Sequence, residues 1–229
     1  MTLSDSTVAS LDLPDTALAQ ASLALVSEVS AEFLLNHCVR SYLFGRELAA
    51  ASGLRAGGDY DDELLFVACL LHDLGVTDHA NGDQRFEVDG ADAAAAFLRE
   101  HHVDEARIRT VWNAVALHTS VGLAHRFGPL EGLAQQGIAA DVVGEGRALL
   151  RPGFADRVHA RWPRHHLGYA LGAAIARQVQ ANPAKGAPLT LPALVHHQFH
   201  PDAPARGWFD IVESAGWGDL PPGTRPPTT

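Results

Sequence analysis

The chain has 229 residues, a formal charge of −10 and a mean hydropathy of −0.01, with 47% hydrophobic residues. That length supports one substantial domain. A net-negative chain whose only lysine is Lys185, with no Lys/Arg cluster, is a poor match for nucleic acid or an anionic membrane. No apolar run approaches the ~20 residues of a bilayer span, and the first residues lack a basic n-region followed by an apolar stretch. Cys38 and Cys69 read as buried thiols in a reducing compartment rather than a disulfide framework. A cytoplasmic protein acting on a small molecule is expected, with no nucleic acid and no membrane partner and the oligomeric state open.

In chain order, residues 1–14 read as a flexible N-terminal arm. From Pro14-Asp15 a helix is predicted, with Leu18, Ala21, Leu25, Val26 and Val29 at helical spacing. A second runs from Leu34 to Ala51 and is closed by Gly53. The third, Asp61 to Leu74, is apolar nearly all round, as a helix in the middle of a domain is, and Gly75 stops it. Residues 76–89 read as a loop. Further helices are predicted from Gly90 to Glu100, from an Asp104 N-cap to Leu117 or His118, and over 130–144. Gly146, Pro152, Gly153 and Pro163 break 145–168. A helix over 168–181 and short pieces near 192–199 and 207–215 follow, then a disordered tail over 220–229. The expectation is an all-α fold, with one domain over 15–219 that includes a C-terminal helical extension. Trp162, Trp208 and Trp217 are read as core or interface residues.

Leu70-Leu71-His72-Asp73-Leu74-Gly75 places an imidazole and a carboxylate at the end of the most buried helix. Burial there is costly unless each finds a strong partner, and a metal satisfies both. The alternative is a His72 that caps a carbonyl and an Asp73 in the following turn, and the dipeptide alone does not decide. His37 lies near the start of a helix with apolar neighbours. Asp141 stands within Gly137-Ile138-Ala139-Ala140-Asp141-Val142-Val143-Gly144, where aspartate is a poor helix former and every neighbour is small or apolar. Such a carboxylate is rarely unpaired, which leaves a metal-ligand role and a core hydrogen-bonding role both open.

His37, then His72-Asp73, then Asp141, in this order on a helical background, resembles the HD superfamily of metal-dependent hydrolases. The words NHCVRSYLFG (36–45), LLFVACLLHDLG (64–75), RFEVDGADAAAAFL (85–98), ALHTS (116–120) and ADVVG (140–144) resemble its cyanamide hydratase-like branch. The resemblance implies an HD-domain helical bundle with one divalent ion held by His37, His72, Asp73 and Asp141. That donor set suits zinc or iron, with manganese or nickel compatible. Dinuclear relatives place a further histidine where this chain reads Phe86-Glu87-Val88-Asp89, so one metal is expected. His79, His101, His102 and His125 read as loop or helix-end surface residues. His118 shares a helical stripe with Ile108, Val111, Trp112 and Val115 and points at the core or the pocket.

On this reading Asp73 and His118 are the catalytic candidates, with Asp73 acting on water and His118 orienting or protonating the substrate. His118, Thr119, Arg40 and Glu87 are the substrate-binding candidates. Thr119 would donate a hydrogen bond, and Arg40, one turn after His37, would hold an anion. The reaction implied is metal-assisted addition of water to a nitrile-like carbon, of the cyanamide-to-urea type. The alternative is a phosphohydrolase acting on a nucleotide or small phosphate ester, which needs cationic groups that the centre of the chain supplies only as Arg40 and Arg85. The third reading is a non-catalytic HD-fold sensor.

Overall fold

The computed structural model describes residues 10–204 and 206–219, so most of the expected arm and the tail over 220–229 lie outside the described residues. Helices α1 (Ala17–Val29), α2 (Glu32–Ala51), α3 (Asp62–Leu71), α4 (Phe86–Glu100), α5 (Glu105–Leu117) and α6 (Pro129–Val143) form the main bundle. Helices α7 (Phe154–Arg161), α8 (Leu167–Ala181), α9 (Leu191–Phe199) and α10 (Trp208–Ser214) make the C-terminal extension. No strand forms among the described residues, and no helix there is long and apolar enough to cross a membrane. The fold is all-α, as expected.

Helix α3 runs through the centre. Asp61 caps it by accepting from the Leu64 amide at 3.0 Å, and Leu64 through Leu71 are all buried against α1, α2, α5 and α6. An all-round apolar helix has no solvent face to place, so it sits inside. It ends at His72, and a tight turn over Leu74–Val76 follows.

Two close backbone contacts fix this turn and its opposite wall. A Cβ on Gly75 would lie 1.9 Å from the Phe86 carbonyl oxygen and 2.8 Å from the Gly90 amide nitrogen, so the turn after Asp73 presses directly on α4. A Cβ on Gly137 would lie 2.1 Å from the Ser41 carbonyl oxygen and 2.8 Å from the Gly45 nitrogen. This second crossing brings the backbones of α2 and α6 together, and Asp141, one turn beyond Gly137, is thereby set against His37 and Arg40.

The extension covers one end of the bundle. Leu171, Ala174 and Ile175 of α8 and Val195 of α9 pack on Phe33, Leu34, Val76 and Phe86 as a small second core. Gln178 donates to the Gly75 carbonyl at 2.8 Å. Lys185, buried at 2% exposure, donates to the Gly82 carbonyl at 2.9 Å and to Asp89. The extension is therefore tied to the turn that carries Asp73.

Three expectations change. Helix α4 starts at Phe86 rather than Gly90, so Glu87 belongs to a buried first turn instead of a loop. The broken segment 145–168 contains α7, which starts after Gly153 in a left-handed conformation (φ +72°) and ends at Trp162, just before Pro163. Trp162 packs against the core, but Trp208 and Trp217 are 61% and 86% exposed and belong to no core among the described residues.

Candidate metal centre

His72 and Asp73 follow α3 directly, and His37 reaches them from α2. His72 Nε2 lies 3.1 Å from His37 Nε2 and 3.2 Å from Asp73 Oδ2, and His37 Nε2 lies 3.6 Å from the same oxygen. All three residues are buried, and each offers a ligand atom within 4.8 Å of the others. His118, which follows α5, stands beside them: its ring centroid is 4.9 Å from that of His72, and its Nε2 is 3.7 Å from Asp73 Oδ1.

Backbone and side-chain acceptors orient the three imidazoles alike. His72 Nδ1 donates to the Cys69 carbonyl (2.8 Å) and His118 Nδ1 to the Val115 carbonyl (2.6 Å), because a carbonyl only accepts. His37 Nδ1 donates to Asp141 Oδ2 at 2.7 Å. In each case Nε2 is turned to Asp73. Two ring nitrogens 3.1 Å apart need a shared proton or a cation between them.

Electrostatics agree with that requirement. Burial and the adjacent His72 push the His118 imidazolium down to about 4, so His118 is neutral near neutral pH. Burial also lowers His37. Burial alone would lower His72 too, but the Asp73 carboxylate outweighs it and holds His72 well above the ordinary 6.5. The Asp73 carboxyl, raised by burial, is brought far below its usual range by His72, His37 and His118. Yet Asp73 Oδ2 is a buried oxygen that accepts no hydrogen bond of good geometry. An ionised, orphaned oxygen beside two convergent imidazole nitrogens is the donor set of a divalent cation.

Asp141 is buried as expected, but the structure does not bring it into the converging set. Its oxygens are taken by Arg40 (Nε to Oδ1 and Nη2 to Oδ2, both 2.8 Å), by Arg164 (Nη1 to Oδ1, 2.8 Å) and by His37. Burial would raise this carboxyl; His159, His37 and Arg40 outweigh it and hold it ionised, far below the usual range. The geometry makes Asp141 the partner that orients His37 from the ring edge away from the cluster.

The same contacts correct the expectation for Arg40. It is fully buried, and its remaining Nη1 donates to the carbonyls of Trp162 and Pro163 at 3.0 and 2.9 Å, so it presents no donor to a substrate. Glu87 is likewise fully buried. It accepts from Arg85 Nε (3.0 Å) and Arg85 Nη2 (2.5 Å) and from Thr119 Oγ1 (2.7 Å). Glu87 therefore holds Thr119 rather than the substrate, and the Thr119 hydroxyl proton is already taken, which reverses the expected polarity of that residue. His79, His101, His102 and His125 are exposed, and both cysteines are buried, as read from the sequence.

A cavity of about 220 Å³ opens onto the cluster. His37, His72, Asp73, His118 and Thr119 form its polar end, and Phe86, Ile138, Val142, Leu171, Ile175 and Val195 supply apolar walls. No lysine or arginine lines it among the described residues. The walls from α8 and α9, and the Arg164 and His159 contacts to Asp141, are features that sequence reasoning missed. A wider groove of about 1030 Å³ along α9 holds no carboxylate in its lining.

Residues 34–143 match the family described as HD domain, a stretch that runs from α2 through α6 and carries His37, His72, Asp73 and Asp141. No curated protein matches the chain. The stretch from α2 to α6 is thus similar to the HD domain, a family whose members are usually metal-dependent hydrolases, and it carries a His-His-Asp group able to bind a divalent ion.

Proposed function

We propose that the protein is a mononuclear metalloenzyme of cyanamide hydratase-like type, adding water to a small neutral molecule with a nitrile-like carbon: R–C≡N + H₂O → R–C(=O)NH₂. One observation carries this reading. The cavity over the His-His-Asp cluster has apolar walls and no cationic lining residue, and Arg40 and Arg85 are taken by Asp141 and Glu87. Phosphate recognition needs such cations to be available.

His37, His72 and Asp73 would hold the ion, of the zinc, iron, manganese or nickel kind. A bound ion supplies an activated water and polarises the electrophile. The chain's own residues do the rest. Asp141 fixes the His37 ring through Nδ1, as outer partners of metal-binding histidines do. His118, neutral and anchored at Nδ1, can accept or return a proton at Nε2 on the cavity side. The apolar walls keep bulk water from competing. Buried free thiols at Cys38 and Cys69 fit a reducing, cytoplasmic setting.

The test is purified protein loaded in turn with zinc, iron, manganese and nickel. It is assayed on cyanamide and short alkyl nitriles beside nucleotides and simple phosphate esters. Turnover of nitriles alone supports the proposal. Turnover of phosphate esters alone replaces it with a phosphohydrolase. A protein that takes up no metal under any loading condition overturns the proposal and favours the non-catalytic sensor reading.

A further inference from the structure

The hydroxyl of Thr119 has one proton, and it goes to Glu87 Oε1 at 2.7 Å. Glu87 cannot return the favour: Arg85 donates to both its oxygens, and together with the Thr119 hydroxyl it holds the buried carboxyl below its ordinary range despite desolvation. One lone pair of Thr119 Oγ1 faces a long contact of 3.4 Å from Arg85 Nη2. The other is free, and Thr119 lines the cavity. We infer that Thr119 is a hydrogen-bond acceptor that selects ligands bearing an N–H group on an uncharged, aliphatic body.

The body is argued from the walls. Ile138, Val142, Leu171, Ile175 and Val195 surround a space that bare cyanamide would leave largely uncontacted. Val121 and Val143, at 81% and 75% exposure, carry the apolar lining outward to the mouth. Gln135 on the wall can serve either polarity. This deepens the hydratase reading on which it rests, because the amide formed from a nitrile carries the N–H that Thr119 accepts, and the nitrile's substituent would fill the walls.

A matched ligand pair tests it. N-methylbutyramide and methyl butyrate share an aliphatic body and differ by one N–H replaced with oxygen. Binding of each to the protein as purified is followed by ligand-observed NMR titration. The amide is expected to bind roughly ten-fold tighter, a preference kept in Thr119→Ser and reduced to within about two-fold in Thr119→Val. Equal binding of the two ligands to the wild type, or binding of neither, overturns the inference whether or not Thr119→Val folds. An amide preference in a protein that hydrates no nitrile overturns the hydratase reading and leaves the selectivity of Thr119 standing.

Discussion

Asp141 Oδ2 lies 2.7 Å from His37 Nδ1, while His37 turns its other nitrogen to His72 and Asp73. The carboxylate thus sets which His37 atom is available to an ion, and it also neutralises Arg40 and Arg164. Asp141→Asn keeps the shape and removes the charge, leaving the fully buried Arg40 uncompensated. A loss of ~3–5 kcal/mol in denaturant melts is expected. Metal affinity should drop about 10- to 100-fold in chelator competition. A variant as stable as wild type would show that the guanidinium groups do not depend on this charge.

Loading an ion should expel one proton. Of the three cluster residues only His72 is held above its ordinary value of 6.5, while His37 and Asp73 are lowered and arrive deprotonated. Affinity should therefore rise about ten-fold per pH unit below the folded value of His72 and level off above it. The sign for stability follows from the same group: its proton stabilises the metal-free fold fully below 6.5 and is lost as pH rises through the folded value. The metal-induced rise in Tm should accordingly be larger at pH 8 than at pH 6. Calorimetry in buffers of different ionisation enthalpy counts the released proton, and a count of zero would refute this account.

The α2–α6 crossing admits no side chain at Gly137, where a Cβ would lie 2.1 Å from the Ser41 carbonyl oxygen. Gly137→Ala must push the helices apart, at a cost of ~1–3 kcal/mol or more. Since Asp141 is one turn away, metal affinity should fall with stability. Gly144→Ala is the control: nothing lies within 4 Å of its Cβ, although its φ of +75° carries a strain penalty of its own. That control should lose stability without losing the ion.

Leu171→Trp should fill the cavity from the α8 side while leaving the cluster intact. The expected outcome is full metal content with turnover or ligand binding reduced at least about ten-fold, since the site can no longer admit its ligand. Unchanged activity would place the substrate elsewhere than in this cavity.

The central helix was legible because a run that is apolar all round has no solvent face; His37, His72 and Asp73 were legible as a set only through the resemblance to the HD superfamily, since the His-Asp pair alone does not decide. Asp141 shows where that legibility ends. Its alanine and valine neighbours correctly signalled burial with a strong partner, but the partners are Arg40, 101 positions away, and Arg164, 23 positions away. Nothing local distinguishes a cation on a side chain from a cation in solution. Arg40 was read as the holder of a substrate anion, one turn after His37; the anion it meets is Asp141, brought in by the close approach of α6 that Gly137 permits. Helix α7 was hidden because it is only eight residues long and lies between Gly153 and Pro163, in a segment that Gly146 and Pro152 also break. The first turn of α4 was hidden because Arg85 and Glu87 are charged and read as loop residues, whereas the buried Glu87 is satisfied by Arg85 and by Thr119, 32 positions away.

The small core that seats α8 and α9 on the bundle separates two kinds of evolutionary freedom. The candidate ion donors come from α2 and the end of α3, within the stretch that matches the HD domain family, whereas much of the apolar wall comes from residues beyond it. Exchanges at Leu171, Ile175 or Val195 would reshape what fits without touching the groups that react. A lineage could thus change its diet by editing the extension while its chemistry stayed where it was, anchored through Gln178 and Lys185.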